Sequence, residues 1–139
     1  MKKIIFIAGL FIAISSFKTL NRLDKLIAKE INDIFQIETF QTEAVEVSEK
    51  IKMELSKNFL IPNLKKIKKE EITLGFYYVG KSFGKVDYFD FIVIFDAELM
   101  VEKTKILIYR EDHGGEIRSK RWLKQFKGKT PEDELIYSK

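Results

Sequence analysis

Groups that could do chemistry cluster near the end of the chain, where Glu111, Asp112 and His113 are followed directly by Gly114 and Gly115. Glycines allow positive φ angles and let a ligand approach the backbone closely. One histidine with two carboxylates could bind a metal ion, but consecutive strand residues point to opposite faces and converge only at a sharp bend. The pattern therefore favours a ligand or cofactor contact over a metal site. A charged strand end with a glycine turn is the purely structural alternative.

Residue composition narrows the chemistry further, because the chain has no cysteine and one histidine. Disulfides, thiolate-held iron–sulfur clusters, cysteine nucleophiles and cysteine-based zinc sites are therefore excluded for this chain. No Ser-His-Asp pattern is recognisable, which gives hydrolase chemistry little support. Chemistry would have to come from carboxylates, hydroxyls, the histidine or a cofactor.

A short basic helix is predicted after the glycines, with Ser119 as its N-cap and Gly128 as its stop. Cationic side chains and a helix N-terminus both favour an anion such as phosphate. A solvated basic face is the alternative for most of these side chains. The basic residues of this segment are Arg118, Lys120, Arg121, Lys124, Lys127 and Lys129.

The elements that must position these groups are predicted from apolar periodicity. With 139 residues, 45% of them hydrophobic, the chain is the right size for one globular domain with an aromatic core. Alternation predicts strands at residues 72–78, 89–95 and 101–109, and the short links between them favour antiparallel neighbours. The predicted fold class is α+β: an antiparallel meander of at least three strands, with N-terminal helices and one short C-terminal helix packed on it.

Two helices are predicted before the strands. Apolar residues at three- and four-residue spacing indicate an amphipathic helix from Thr19 to Phe35, followed by an extended piece at residues 37–40. A second, weaker helix is predicted at residues 43–59, ended by Pro62. The alternation at residues 44–47 leaves a strand open for part of that segment.

The N-terminus has the pattern of a secretory signal peptide. Lys2 and Lys3 precede an apolar run from Ile4 to Ile14, which is too short to span a bilayer, and small residues permit cleavage after Ser15. Residues 1–15 are therefore predicted as signal and residues 16–139 as one exported domain; an uncleaved anchor and a buried N-terminal strand are the alternatives. The formal net charge is +4 and falls by two without the signal, which disfavours a nucleic-acid binder.

Four segments in the second half of the chain occur in the same order as landmarks of one known family. They are Gly75 to Gly80, the strand end Phe91 to Asp96, the stretch Glu111 to Ile117, and Trp122 to Lys129. In this order they resemble the FMN-binding domain family, which includes flavin-carrying subunits of sodium-pumping and Rnf-type redox complexes. The family's Ser-Gly-Ala-Thr type attachment motif is missing here, so the resemblance implies a C-terminally truncated or a degenerate member.

The resemblance also implies a cofactor and a site. Glu111 and Gly115 match family positions near the flavin, and Gly114 and Lys129 complete the predicted cofactor-binding set. It implies an exported FMN-binding domain for electron transfer, periplasmic or on the outer face of the cytoplasmic membrane, associated with a membrane redox complex and an unknown redox partner. The alternative from another class is a small exported binding or interaction module without a cofactor. An ordinary enzyme is third, because no catalytic constellation is visible.

Overall fold

Five antiparallel strands form one sheet in which the spatial order of the strands follows their order along the chain. The computed structural model describes residues 20–55 and 59–136, so the predicted signal peptide at residues 1–15 lies outside the described residues. The strands are β1 (Gln41–Ala44), β2 (Leu64–Lys69), β3 (Ile72–Phe83), β4 (Tyr88–Asp96) and β5 (Val101–Tyr109). The helices are α1 (Arg22–Phe35), α2 (Glu49–Glu54) and α3 (Lys120–Leu123), with single 3₁₀ turns at Ile61–Asn63, Gly115–Arg118 and Lys124–Phe126. The predicted α+β meander is confirmed.

The long helix α1 forms where the periodicity predicts it. Asn21 caps its first turn by accepting a hydrogen bond from the Asp24 backbone N–H at 2.9 Å. Gln36 ends it in the left-handed conformation with a φ of 54°. The apolar stripe of α1 lies against one face of the sheet, which is called the inner face below.

The core lies between α1 and the inner face. Its buried residues are Ile31, Ile67, Tyr77, Ile92 and Ile94. Strand alternation explains the set. Ile92 and Ile94 project from β4 toward α1, while Val93 between them projects from the outer face. Full burial of each such side chain contributes roughly 1.5–3 kcal/mol.

The prediction of a helix at residues 43–59 is wrong in part. The helix covers only Glu49–Glu54, and strand β1 ends at Ala44, the first residue of the stretch where a strand was left open. β1 is held on β2 by Glu43, whose carboxylate lies 3.4 Å from Lys66 Nζ and 3.2 Å from Lys68 Nζ. These cross-strand ion pairs join residues more than twenty positions apart, so the local pattern does not contain them.

Strand β3 extends beyond the predicted residues 72–78, so the turn to β4 lies further toward the C-terminus. β3 continues to Phe83, and the turn is closed by a hydrogen bond from Gly84 N–H to the Asp87 carbonyl at 2.9 Å. Gly80 is a strand residue, and packing explains why it is a glycine. A Cβ there would lie 2.3 Å from the Phe91 ring. The glycine therefore marks a packing contact.

The C-terminal segment attaches to the start of β5. Ser119 caps α3 as predicted, accepting from the Trp122 N–H at 3.2 Å, and Gly128 takes a φ of +79°. Beyond it, Gly128 N–H donates to the Val101 carbonyl and Val101 N–H donates to the Lys129 carbonyl. Within residues 20–55 and 59–136, no helix has the length and apolar character needed to cross a membrane.

Candidate functional site

Glu111, the leading candidate for a flavin contact, is hydrogen-bonded to the β3–β4 turn. Its Oε1 accepts from the backbone N–H of Val86 at 2.8 Å and of Asp87 at 3.1 Å. These backbone donors hold the pKa of Glu111 below the usual glutamate value. A Cβ on Gly84 would lie 2.1 Å from Oε1, so that glycine makes room for the carboxylate. Glu111 therefore ties the end of β5 to the neighbouring hairpin.

Gly114 and Gly115 form an open turn, called the Gly114 loop (residues 110–115) below. Gly114 takes a φ of +74°, as a glycine at a ligand-approach turn can. A Cβ on Gly115 would meet only the Arg118 guanidinium, at 3.8 Å. Tyr109 closes the loop, because its hydroxyl donates to the His113 carbonyl and its ring lies 4.8 Å from the Arg118 guanidinium carbon. The backbone of this loop is accessible from outside.

Lys129 lies at the opposite end of β5 from the Gly114 loop. Its carbonyl pairs with Val101, the first residue of β5, whereas Glu111 follows Tyr109, the last. A nine-residue strand separates the two ends by roughly 26 Å at about 3.3 Å per residue. The structure therefore brings Glu111, Gly114 and Gly115 together at one end of β5 but does not bring Lys129 to them.

Glu111, Asp112 and His113 are the residues that could bind a metal ion at the end of β5. Asp112 and His113 are exposed, while Glu111 turns back to the hairpin. In the part of the chain that the structure describes, no group of three or more His, Cys, Asp or Glu side chains is placed to hold a metal ion.

A cleft between α1 and the inner face is the feature that sequence reasoning missed. Its volume is about 330 Å³, and it lies between the first turns of α1 and the middle strands of the sheet. The lining residues are Leu23, Asp24 and Ile27 of α1, Asn63, Lys65 of β2, Tyr77, Val79, Gly80 and Lys81 of β3, and Asp90 of β4. Four separate chain segments thus contribute to one cavity.

Tyr77 lies at the base of the cleft and is buried. Burial raises the pKa of Tyr77, and the nearby negative charge of Asp24 raises it further. The phenol is therefore protonated at neutral pH and can donate a hydrogen bond. Its hydroxyl makes no hydrogen bond to any residue in the described ranges, so this donor is free for a ligand.

The cleft combines paired and unpaired charges. Asp90 is neutralised by Arg110, whose Nη2 lies 2.5 Å from its carboxylate and whose Nη1 donates to the Tyr88 carbonyl at 3.1 Å. In contrast, Asp24, Lys65 and Lys81 form no ion pair with another described residue. Two cations, one anion and one phenol are thus available at a single cavity.

A buried carboxylate fixes α1, which forms one wall of the cleft. Glu30 is fully buried; its Oε2 lies 2.6 Å from Lys103 Nζ, and its Oε1 accepts a hydrogen bond from Lys105. Burial on its own would raise the pKa of Glu30, but the two ammonium groups outweigh it and hold the pKa below the usual value. The ion cluster thereby sets where α1 lies along β5.

Comparisons with family models, with curated proteins and with solved structures find no match to this chain. The proposals for function therefore depend on the cleft and on the Gly114 loop.

Proposed function

We propose that this protein is a small binding module without a resident cofactor and that its ligand occupies the cleft between α1 and the inner face. The observation that carries the proposal is that Lys65, Lys81, Asp24 and Tyr77 all line one cavity. Its volume of about 330 Å³ is at the small end of the range for ligand sites. The ligand is therefore a compact molecule.

The lining defines the chemistry of that ligand. Lys65 and Lys81 offer charge-assisted hydrogen bonds to a carboxylate, and Tyr77 adds a neutral donor. Asp24 can accept from an ammonium group on the same molecule. Apolar side chains from α1 and β3 cover the remaining surface. A small carboxylate or zwitterion with a short apolar part fits this arrangement.

Binding is favoured over catalysis by the protonation states in the cleft. Tyr77 has a raised pKa and is not a base at neutral pH. Asp90 is held by Arg110, and no hydroxyl or amine in the cleft is hydrogen-bonded to a described base. The groups present can hold and orient a ligand.

A thermal-shift screen with free amino acids and short-chain carboxylates tests the proposal. Hits are then titrated against the parent and against Lys65→Met and Lys66→Met, neighbours that point to opposite faces of β2. Loss of a charged hydrogen bond in the cleft should weaken binding by roughly tenfold or more in Lys65→Met alone. The proposal is wrong if no compound raises the melting temperature, or if both variants lose affinity equally.

An FMN-binding domain for electron transfer is the second candidate, and the Gly114 loop is the observation in its favour. The positive φ of Gly114 and the open space at Gly115 leave backbone N–H groups approachable beside the Arg118 guanidinium. Backbone donors and an arginine suit an anionic cofactor. On this proposal the exported domain would pass electrons to a membrane redox complex, with Lys129 outside the site.

Titration with FMN, followed by quenching of flavin fluorescence, separates the two sites. Quenching that is lost in Gly115→Val and kept in Lys65→Met supports FMN at the Gly114 loop. Quenching that is lost in Lys65→Met and kept in Gly115→Val would mean that FMN binds in the cleft. That result would support the cleft as a ligand site and contradict the Gly114 loop as the FMN site. Absence of saturable quenching with a folded protein contradicts the FMN proposal and leaves the screen above unaffected.

A further inference from the structure

The β3–β4 hairpin ends in an exposed apolar tip. Phe83, Val86 and Tyr88 are 56%, 67% and 47% exposed. Phe83 lies directly opposite Tyr88, and their rings meet edge to face with centroids 4.9 Å apart. Turns normally carry small polar residues, and clustered exposed apolar side chains mark an interaction surface. Such an apolar tip is unusual for a turn that contacts only solvent.

The unpaired charges of the tip are positive. Lys81 Nζ lies 5.7 Å from the centre of the Tyr88 ring, and Lys85 is exposed in the turn itself. The acidic groups at the tip are satisfied internally: the Asp87 carboxylate accepts from the Tyr88 N–H, and Glu111 accepts from the turn backbone. Lys85 thus remains available to an anionic partner.

The N-terminus of α1 lies at the same end of the sheet. Leu23 and Asp24, in the first turn of α1, line the cleft together with Lys81, two residues from Phe83. Leu20, just before α1, is also exposed. The exposed Leu20 and the apolar tip therefore lie toward the same end of the molecule.

We propose that this end of the molecule binds a lipid surface, with Phe83, Val86 and Tyr88 inserted at the level of the headgroups. Aromatic side chains are favoured at the membrane interface, where the ring is in an apolar environment and the Tyr88 hydroxyl remains hydrated. Lys85 extends to the phosphates with its methylene stem along the apolar part. A lipid surface is preferred to a protein partner because apolar and aromatic side chains beside an exposed ammonium group match the boundary between acyl chains and anionic headgroups. The inference uses no residue that the cleft proposal requires.

The absence of native cysteine makes a direct test possible in the full chain. Val86→Cys and Ile72→Cys are each labelled with a polarity-sensitive fluorophore. Ile72 is a matched control because it is 65% exposed and lies at the other end of β3, roughly 36 Å from Phe83. With vesicles of phosphatidylcholine and phosphatidylglycerol, emission from position 86 should shift to the blue and be quenched by lipid-borne spin labels. Emission from position 72 should not change.

A second variant shows whether the tip itself enters the lipid. Phe83→Ser combined with Tyr88→Ser, both at exposed positions, should reduce the shift at position 86 severalfold while circular dichroism stays unchanged. Lipid binding by the tip is overturned by an unchanged label at position 86 or by equal shifts at both positions. It is also overturned by a shift that grows with protein concentration without vesicles, which would mean that a second copy covers the tip.

Discussion

The two faces of the sheet are covered in different ways, although the same strands build both. The inner face is covered by α1, a continuous helix of 14 residues, and the largest fully buried side chains of the described residues lie on that side: Ile31, Ile67, Ile92, Ile94 and Glu30. The outer face carries larger aromatic residues, yet its ring clusters remain only partly buried. Phe59, which precedes the 3₁₀ turn at Ile61–Asn63, stacks there on Tyr78 with ring centroids 4.6 Å apart. A long helix therefore excludes water better than several short segments do.

The faces also differ in how they hold charge. Glu30 on the inner side is fully buried and paired with Lys103 and Lys105. Pairs elsewhere, such as Arg121 with Glu116, are exposed to solvent. Buried ions are costly to leave unpaired, whereas exposed pairs contribute little. Changes on the inner side should therefore have the larger effects.

The largest effect is expected for Lys103→Met combined with Lys105→Met. Both cations leave, and Glu30 becomes a buried, uncompensated charge, which should lower the free energy of unfolding by about 3 kcal/mol at neutral pH. Glu30→Met should cost less, about 1 kcal/mol, because both lysines are partly exposed and can turn to water. Urea unfolding at pH 7 measures both.

The pH dependence of this double variant is its control. The pKa of Glu30 is lowered in the parent, so the stability it contributes is complete above the ordinary glutamate value of 4.5 and is lost as the pH falls through the lowered pKa. In the variant, burial alone raises the pKa, and protonation removes the penalty. The difference between the two proteins should therefore begin to shrink above pH 4.5, as Glu30 of the variant takes up a proton, and should go on shrinking below pH 4.5, as Glu30 of the parent does. A constant difference would contradict a buried charge as the cause.

A pair of neighbouring residues on β4 tests the faces directly. Ile92→Ala opens a cavity in the fully buried inner core and should cost about 3 kcal/mol. Val93→Ala, on the partly covered outer face, should cost about 1 kcal/mol. Thermal and urea unfolding of the two variants give the comparison. Equal losses would mean that the outer face is as well packed as the inner one.

The smallest effect is expected in the C-terminal segment that begins with α3. Ser119→Ala removes the side-chain acceptor for the Trp122 N–H at the start of α3 and should lower stability by about 1 kcal/mol. Hydrogen exchange should increase in residues 119–126 and stay unchanged in α1. Faster exchange in α1 as well would show that residues 119–126 and α1 unfold together.

The sequence predicted the elements whose signal is local. Helix α1 and strands β3 to β5 follow from apolar periodicity, and Ser119 from its capping position. β2 was not predicted, because four of its six residues are lysines and only Ile67 is buried. Its strand character comes from pairing with β1 and β3, which a local window does not show.

The site was harder to predict than the fold, since its residues meet only in three dimensions. Glu111 and the glycines after it were identified correctly as a strand-end cluster, but the carboxylate binds a turn 24 to 25 residues earlier along the chain. The cleft joins α1 to β2, β3 and β4, and nothing in the local sequence distinguishes Lys65 from the other lysines of β2. Whether Glu111 also contacts FMN stays a prediction.

The strand order has a consequence for how quickly the protein folds. From β2 to β5 each strand pairs with the next one through a short link, so this part of the sheet can grow one hairpin at a time with little loop-closure entropy. α1 is different, because Glu30 meets Lys105 75 residues later. We therefore expect helix docking to follow the rate-limiting step, so that substitutions at Glu30 speed unfolding and leave the folding rate nearly unchanged. The cleft, which has α1 as a wall, would be the last part of the molecule to acquire its shape.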